Sequence, residues 1–290
     1  MFMFLSAVGL YYSLNSKEKI NIKNFYWRRF IKVFVPYLIV ASLWYGIKYI
    51  FIEKQISMFL YELSTISFWI EHKGAWYVAA LVPIYLIYPF FYMWTEGKKR
   101  NIKHVLSVLF VVFLNVIIYR YDNGLYIHLS QVLNGLVTFI IGSYYAEKIK
   151  HENNNCYGFI VIFLILFILK KMFISNLSML IDSLIYSLIG IVMCIVLSFA
   201  LNMLKCEYFN MFLRWFGKHS LTLYLTNIFI LQAMKYFNIS LMIQKYFNDY
   251  NGYITYTIVV VVGIISTYII DYIICKYIQR NINTYNQIKR

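Results

Sequence analysis

Apolar stretches of about twenty residues recur from one end of this chain to the other, and the segments between them are no longer than that. They fall at 1–14, 34–52, 76–94, 104–119, 129–146, 157–175, 179–201, 219–237 and 252–275. Their Ile, Leu, Phe and Val lack period-two alternation, and only three Pro and twelve Gly occur, so helices are favoured over a transmembrane barrel. Of 290 residues 61% are hydrophobic and 13% charged; a soluble domain carries about 25% charged residues. So little polar surface cannot enclose the chain in water, and lipid must be part of its solvent. The expectation is an all-α, polytopic membrane helix bundle of about nine spans.

The first run is short. Fourteen helical residues, Met1 to Leu14, reach about 21 Å against roughly 30 Å of bilayer hydrocarbon. A secretory signal would carry positive charge before its apolar run, whereas here the charge follows. Nine alternating spans divide the loops into two sets holding 19 and 6 Lys and Arg. That bias assigns the richer set to the cytoplasm of a cell membrane, with the C-terminus cytoplasmic and Met1 outside. One further helix before Met1 would bring the start of the chain inside and make ten spans. The organisation expected is a single membrane domain over 1–280, N-terminally incomplete, with a cytoplasmic tail at 281–290. The net charge of +15 then reads as loop cations facing anionic membrane lipid, with no nucleic-acid partner. Cys156, Cys194, Cys206 and Cys275 stand alone without CxxC spacing, so no disulfide framework or metal site is expected.

Three stretches concentrate polar chemistry. In "FYWRRFIKVFVPYLIVASLWYG", Arg28, Arg29 and Lys32 lie about one helical turn apart ahead of Pro36. Anchoring by positive charge is the simple reading; a clamp on a nucleotide or coenzyme pyrophosphate is the functional one. In "EHKGAWYVAALVPIYLIYPFFYMW", Trp76 and Tyr77 enter a span that Pro83 and Pro89 interrupt, with Glu71 and His72 just outside it. Such a broken helix is tolerated where it is buried in protein or lines a cavity. In "RWFGKHSLTLYLTNIFILQ", Ser220, Tyr224 and Asn227 share one helical face, and an amide in hydrocarbon needs partners. Asp182 and Asp271 are the intramembrane acids, both near span ends.

Taken in order, "FMFLSAVGLYYSL", "RRFIKVFVPYLIVASLWY", "GAWYVAALVPIYLIYPFFY", "LVTFIIGSYYAEK" and "FGKHSLTLYLTNIFI" resemble signature segments of the acyltransferase-3 family of integral membrane acyltransferases. The resemblance runs from Met1 to about residue 275. It implies a bundle of ten helices that moves an acyl group, often acetyl from acetyl-CoA on the cytoplasmic side, onto sugars of polysaccharide, peptidoglycan or lipid-linked glycan. Arg29 and Lys32 match the family's basic pair before the proline, Lys32 replacing the usual Arg, and Arg28 lies beside them. Trp76 matches the family's Trp, and Gly74 stands where a polar residue is common; Asn227 falls where the family often has His. The opening segment corresponds to the family's second helix. The first, with its Arg and the His taken as catalytic base, would precede Met1, and none of His72, His104, His128, His151 or His219 is an obvious substitute.

The expected function is therefore O-acyl transfer from acyl-CoA, the donor substrate, to a cell-surface or lipid-linked carbohydrate. Without the family's first helix the sequence would be a mis-started or fragmentary form of a longer enzyme, or a degenerate, inactive copy. Arg28, Arg29 and Lys32 would hold the coenzyme, Trp76 and Tyr77 the substrate, and Tyr224 and Asn227 are the catalytic candidates within the chain. A glycan-lipid transporter or flippase, or a non-catalytic membrane subunit, are the alternatives.

Overall fold

The computed structural model describes residues 2–15, 22–71, 73–150, 179–203, 207–247 and 252–288. Every element among them is a helix. Contacts gather these helices into two units, each built from two stretches of chain: Met1–Phe25 with Pro83–Glu207, and Tyr26–Val82 with Tyr208–Arg290. Among the described residues six helices are long and apolar enough to cross a membrane: Ile22–Ile52, Trp76–Thr95, Arg100–Tyr121, Asn123–Glu147, Met179–Ser198 and Tyr253–Ile274. The architecture is a helical, polytopic membrane protein. Of the other expected spans, the opening one is an apolar helix of 14 residues. The span ending at Phe237 becomes a 30-residue helix, Glu207–Tyr236, whose first half mixes aromatic residues with Glu207, Arg214, Lys218 and His219. The run at 157–175, with Cys156, His151, His72 and Cys206, lies outside the described residues.

The first unit comprises α1 (Phe2–Asn15), the later part of α6 (Trp76–Thr95), α7 (Arg100–Tyr121), α8 (Asn123–Lys150) and α9 (Met179–Met203). Here α1 packs along α8, and Gly142 permits it. A Cβ on Gly142 would lie 2.7 Å from the Phe4 carbonyl oxygen and 3.1 Å from the Ala7 Cβ. Small residues let helix backbones approach this closely in lipid, where dispersion and hydrogen bonds drive association. Tyr12 then donates to the Ala146 carbonyl at 2.7 Å. Phe4 meets Ile191, Cys194 and Ile195 of α9, and Val111 of α7 meets Val137 and Ile140 of α8. The polarity of α7 is inside out. Leu106, Leu109, Phe110 and Phe113 are exposed, while His104 and Asn115 are buried. Asn115 donates its amide N–H to the Val111 carbonyl of its own helix at 3.2 Å, while its Oδ1 is buried without a partner. At one end, Arg100 joins α1, α7 and α8 by pairing with Glu147, donating to the Tyr11 hydroxyl at 3.1 Å and to the Ser143 carbonyl at 3.3 Å.

The second unit is organised on one long helical rod. It comprises α2 (Ile22–Arg29), a π-helical turn at Phe30–Phe34, α3 (Val35–Tyr45) and a second π segment at Gly46–Ile52. The first widening comes just before Pro36, which has no N–H to give the Lys32 carbonyl. Residues 22–33, read from sequence as loop, are thus mostly helical, because aromatic and basic side chains suit a helix end leaving the bilayer. Beyond the rod, α4 (Ile56–Leu63) and α5 (Ile66–Glu71) fold back over it. Tyr37 donates to the Leu63 carbonyl at 3.1 Å. Two further helices complete the unit, α10 (Glu207–Tyr236) and α12 (Tyr253–Ile288), with the short α11 (Ile239–Phe247) between them. The C-terminal end of α10 reaches the end of the rod, where Tyr236 bonds Glu53 at 3.3 Å and its ring meets Trp44 edge-on at 5.8 Å. α10 therefore runs parallel to the rod, and α12 runs back.

Candidate functional site

The sequence candidates lie in the second unit. At the beginning of the rod Arg28 and Lys32 are exposed, while Arg29 is half-buried and has an interaction of its own. Two cations are thus presented to solvent and the third is engaged with the protein. Arg28 supplies a planar fork suited to phosphate, Lys32 a compact charge.

Midway along α10, Tyr224 meets the first turn of α6. The Tyr77 N–H approaches the Tyr224 hydroxyl at 3.5 Å, and the two rings stand edge-to-face at 5.6 Å. First-turn N–H groups lack a partner within their own helix, so a tyrosine oxygen can serve one. Trp76 packs edge-on against Tyr77 at 5.9 Å. The structure thus brings together Trp76, Tyr77 and Tyr224. Asn227 turns toward α12: a Cβ on Gly263 would lie 1.9 Å from its Oδ1 atom. That oxygen is buried without a hydrogen-bond partner. Ser220 bonds the Gly217 carbonyl of its own turn at 3.0 Å, a backbone role.

One cluster was not foreseen. His219 Nδ1 pairs with Asp271 Oδ2, and Thr222 donates to Asp271 Oδ1 at 3.0 Å. The ring of Trp215 lies 4.8 Å from that of His219. His219 and Asp271 are 14% and 17% exposed. One turn further on, the Thr226 hydroxyl lies 3.2 Å from Thr267 and 3.3 Å from the Gly263 carbonyl. The α10–α12 seam thus carries polar side chains over two turns, and Asp271 is held by two of them. A carboxylate on Nδ1 fixes the tautomer and orientation of an imidazole, the arrangement of a positioned base or acid. The only sequence signal was a lone Asp and a lone His, 52 residues apart.

The remaining candidates have structural roles. Asp182 lies in the first turn of α9, where a negative charge suits the helix dipole. His104 is buried, with Nδ1 3.0 Å from the Arg100 carbonyl. Glu71 pairs with Lys73, and that hydrogen bond is the main cause that holds its carboxyl below the usual range. The pair's contribution is therefore present at neutral pH and lost as pH falls through the lowered Glu71 value. Both groups are exposed, so solvent screens it.

Comparison with known proteins agrees with this helical frame. No curated protein and no solved structure gives a significant match to the chain. A family model described as an acyltransferase domain matches residues 1–275, nearly the whole of the 290, so the chain belongs to the acyltransferase-3 family and is a membrane acyltransferase.

Proposed function

We propose that the protein moves an acyl group, acetyl foremost, from acyl-CoA to a hydroxyl of a cell-surface or lipid-linked carbohydrate. The family match over residues 1–275 carries the group-transfer reading. Donor, acceptor and residue roles are inferred from chemistry. A cation pair at one end of the rod, Arg28 with Lys32, suits the pyrophosphate of a coenzyme. In the cytoplasmic membrane that end faces the cytoplasm, where acyl-CoA is found, with the C-terminus on the same side.

The reaction joins a sugar oxygen to the thioester carbon and releases the coenzyme thiolate, and the hydroxyl proton goes to a base. A sugar hydroxyl attacks a thioester poorly until a base accepts that proton. The family resemblance implies a His as this base. Tyr224, whose hydroxyl accepts from the Tyr77 N–H and keeps its own proton to donate, and the amide N–H of Asn227 are the groups of this chain suited to orient the reacting carbonyl or the developing oxyanion. Trp76 and Tyr77 offer the aromatic surface against which the substrate lies.

The decisive experiment incubates membranes carrying the full chain with radiolabelled acetyl-CoA and follows the label. Alkali-labile label in carbohydrate is expected; label that stays in the coenzyme refutes acyl transfer to sugar. Arg28→Ala with Lys32→Ala should raise the apparent coenzyme dissociation constant at least about tenfold. An unchanged constant removes the clamp.

A further inference from the structure

Far from the basic end of the rod, the second unit contains a cavity of about 580 Å³ that no part of the reading above uses. Its inner surface includes Tyr45, Tyr49 and Glu62, all buried, and Trp44 stands in its wall. Glu62 is only 5% exposed, yet its Oε2 has no hydrogen-bond partner. The Tyr45 hydroxyl is likewise buried without one. Two such groups on residues that line one cavity call for a ligand bearing hydroxyls, because an unpartnered buried carboxylate oxygen is costly.

The neighbouring hydrogen bonds fix what that ligand must offer. Lys48 donates to the Tyr49 hydroxyl at 2.8 Å, and Tyr49 donates in turn to Glu62 Oε1 at 3.1 Å. Tyr49 has thereby committed its proton, and Glu62 Oε2 is left as an acceptor awaiting a donor from the cavity. Lys48 is held with its ammonium 4.3 Å from the Tyr49 ring centroid and 5.5 Å from that of Tyr236. The lining also includes Lys73, Lys235 and Tyr236, all exposed, and Gln232. Lys73 is engaged by Glu71, which leaves Lys48 and Lys235 to meet a ligand's charge.

We propose that this cavity binds a saccharide carrying an anionic group, a carboxylate or a phosphate. Ring hydroxyls donate to Glu62 Oε2 and bond the Tyr45 hydroxyl, the apolar face of the sugar lies against Trp44 and Tyr236, and the anion meets Lys48 and Lys235. A hydrocarbon chain would leave Glu62 unsatisfied, and a neutral sugar would leave the lysines without a counter-charge. The identification rests on the carbohydrate-acceptor reading and adds to its Trp76 and Tyr77 surface a charged subsite, whose lining reaches Gly74, two residues before Trp76.

The test measures binding to the full chain in lipid nanodiscs with three trisaccharides: trigalacturonate, a phosphorylated maltotriose and maltotriose. At low salt the two charged probes should bind at least about tenfold more tightly than maltotriose, and added salt should shrink the difference. The tighter of the two identifies the anionic group, and either result supports the site. Lys48→Met and Lys235→Ala should each weaken the charged probes alone, by about tenfold, and Glu62→Gln should weaken all three. Lys48→Met retains the apolar stem, and a thermal melt checks its fold. Equal binding of charged and neutral probes, indifference to both lysine variants, or displacement of the charged probes by CoA overturns the proposal. Labelled carbohydrate from acetyl-CoA alongside any of those outcomes leaves the acyl-transfer reading standing. Selective anionic binding without label transfer separates the two the other way.

Discussion

Gly142 and Gly263 both lie where helices approach closely, yet they differ in what a side chain would strike. At Gly142 the obstacle is backbone, the Phe4 carbonyl, which moves only if α1 moves. Gly142→Val should therefore destabilise the first unit by about 1–3 kcal/mol, read as a lower thermal midpoint in detergent; an unchanged midpoint would show that the helices can separate freely. At Gly263 the obstacle is the Asn227 carboxamide, the end of a side chain. Gly263→Ala should cost stability in the natural sequence and almost nothing once Asn227→Ala has cleared the space, an interaction of about 0.5–3 kcal/mol in a double-mutant cycle. Additive effects would dissociate the two residues. Asn227 was legible as unusual because an amide in an apolar run demands explanation. Its facing glycine was not, since nothing local links positions 227 and 263. The same holds for His219 and Asp271, each ordinary alone and joined only by the antiparallel course of α10 and α12.

At the scale of elements, the rod from Ile22 to Ile52 shows what hydropathy does and does not report. The expected span 34–52 covered its apolar part, and the N-terminal turns escaped because Lys23, Arg28, Arg29 and Lys32 read as loop. By contrast, α6 and α9, apolar over most of their length, were legible to within a residue or two of Trp76–Thr95 and Met179–Met203. The π turn at Phe30–Phe34 has a consequence for the basic pair. A π turn inserts the equivalent of one residue, and one residue rotates a helix by about 100°. If Pro36 maintains that turn, Pro36→Ala lets the rod become regular and swings Arg28 and Lys32 away from their present bearing. We expect a thermal midpoint that is unchanged or higher, with coenzyme affinity lower by about tenfold. Equal affinity in a well-folded Pro36→Ala protein would mean that the clamp does not depend on the register of the rod.

For the whole molecule, the decisive variable is the solvent. Leu109, Phe110 and Phe113 of α7 and Val260, Val261 and Ile265 of α12 are exposed apolar side chains that only lipid can satisfy. At 36 residues α12 extends about 54 Å, well beyond roughly 30 Å of hydrocarbon, so its last turns leave the bilayer carrying Lys276 and Arg280. Because α12 runs antiparallel to α10 and to the rod, Lys276 shares an end of the second unit with Arg28, Lys32, Arg214 and Lys218. Such a gathering of cations favours the cytoplasmic side and anionic lipid. A fluorescent protein fused after Arg290 should therefore fold and fluoresce inside the cell, while a phosphatase that needs the exterior should stay inactive there. Replacing Arg28, Lys32, Lys276 and Arg280 with Gln should weaken that preference and yield a mixed population of fusions. A phosphatase active in the natural sequence would reverse the orientation, moving the cation pair to the exterior, where acyl-CoA is absent, and the cavity of Glu62 to the cytoplasmic side. One topology measurement thus decides on which side of the membrane the proposed donor clamp and the proposed acceptor cavity each lie.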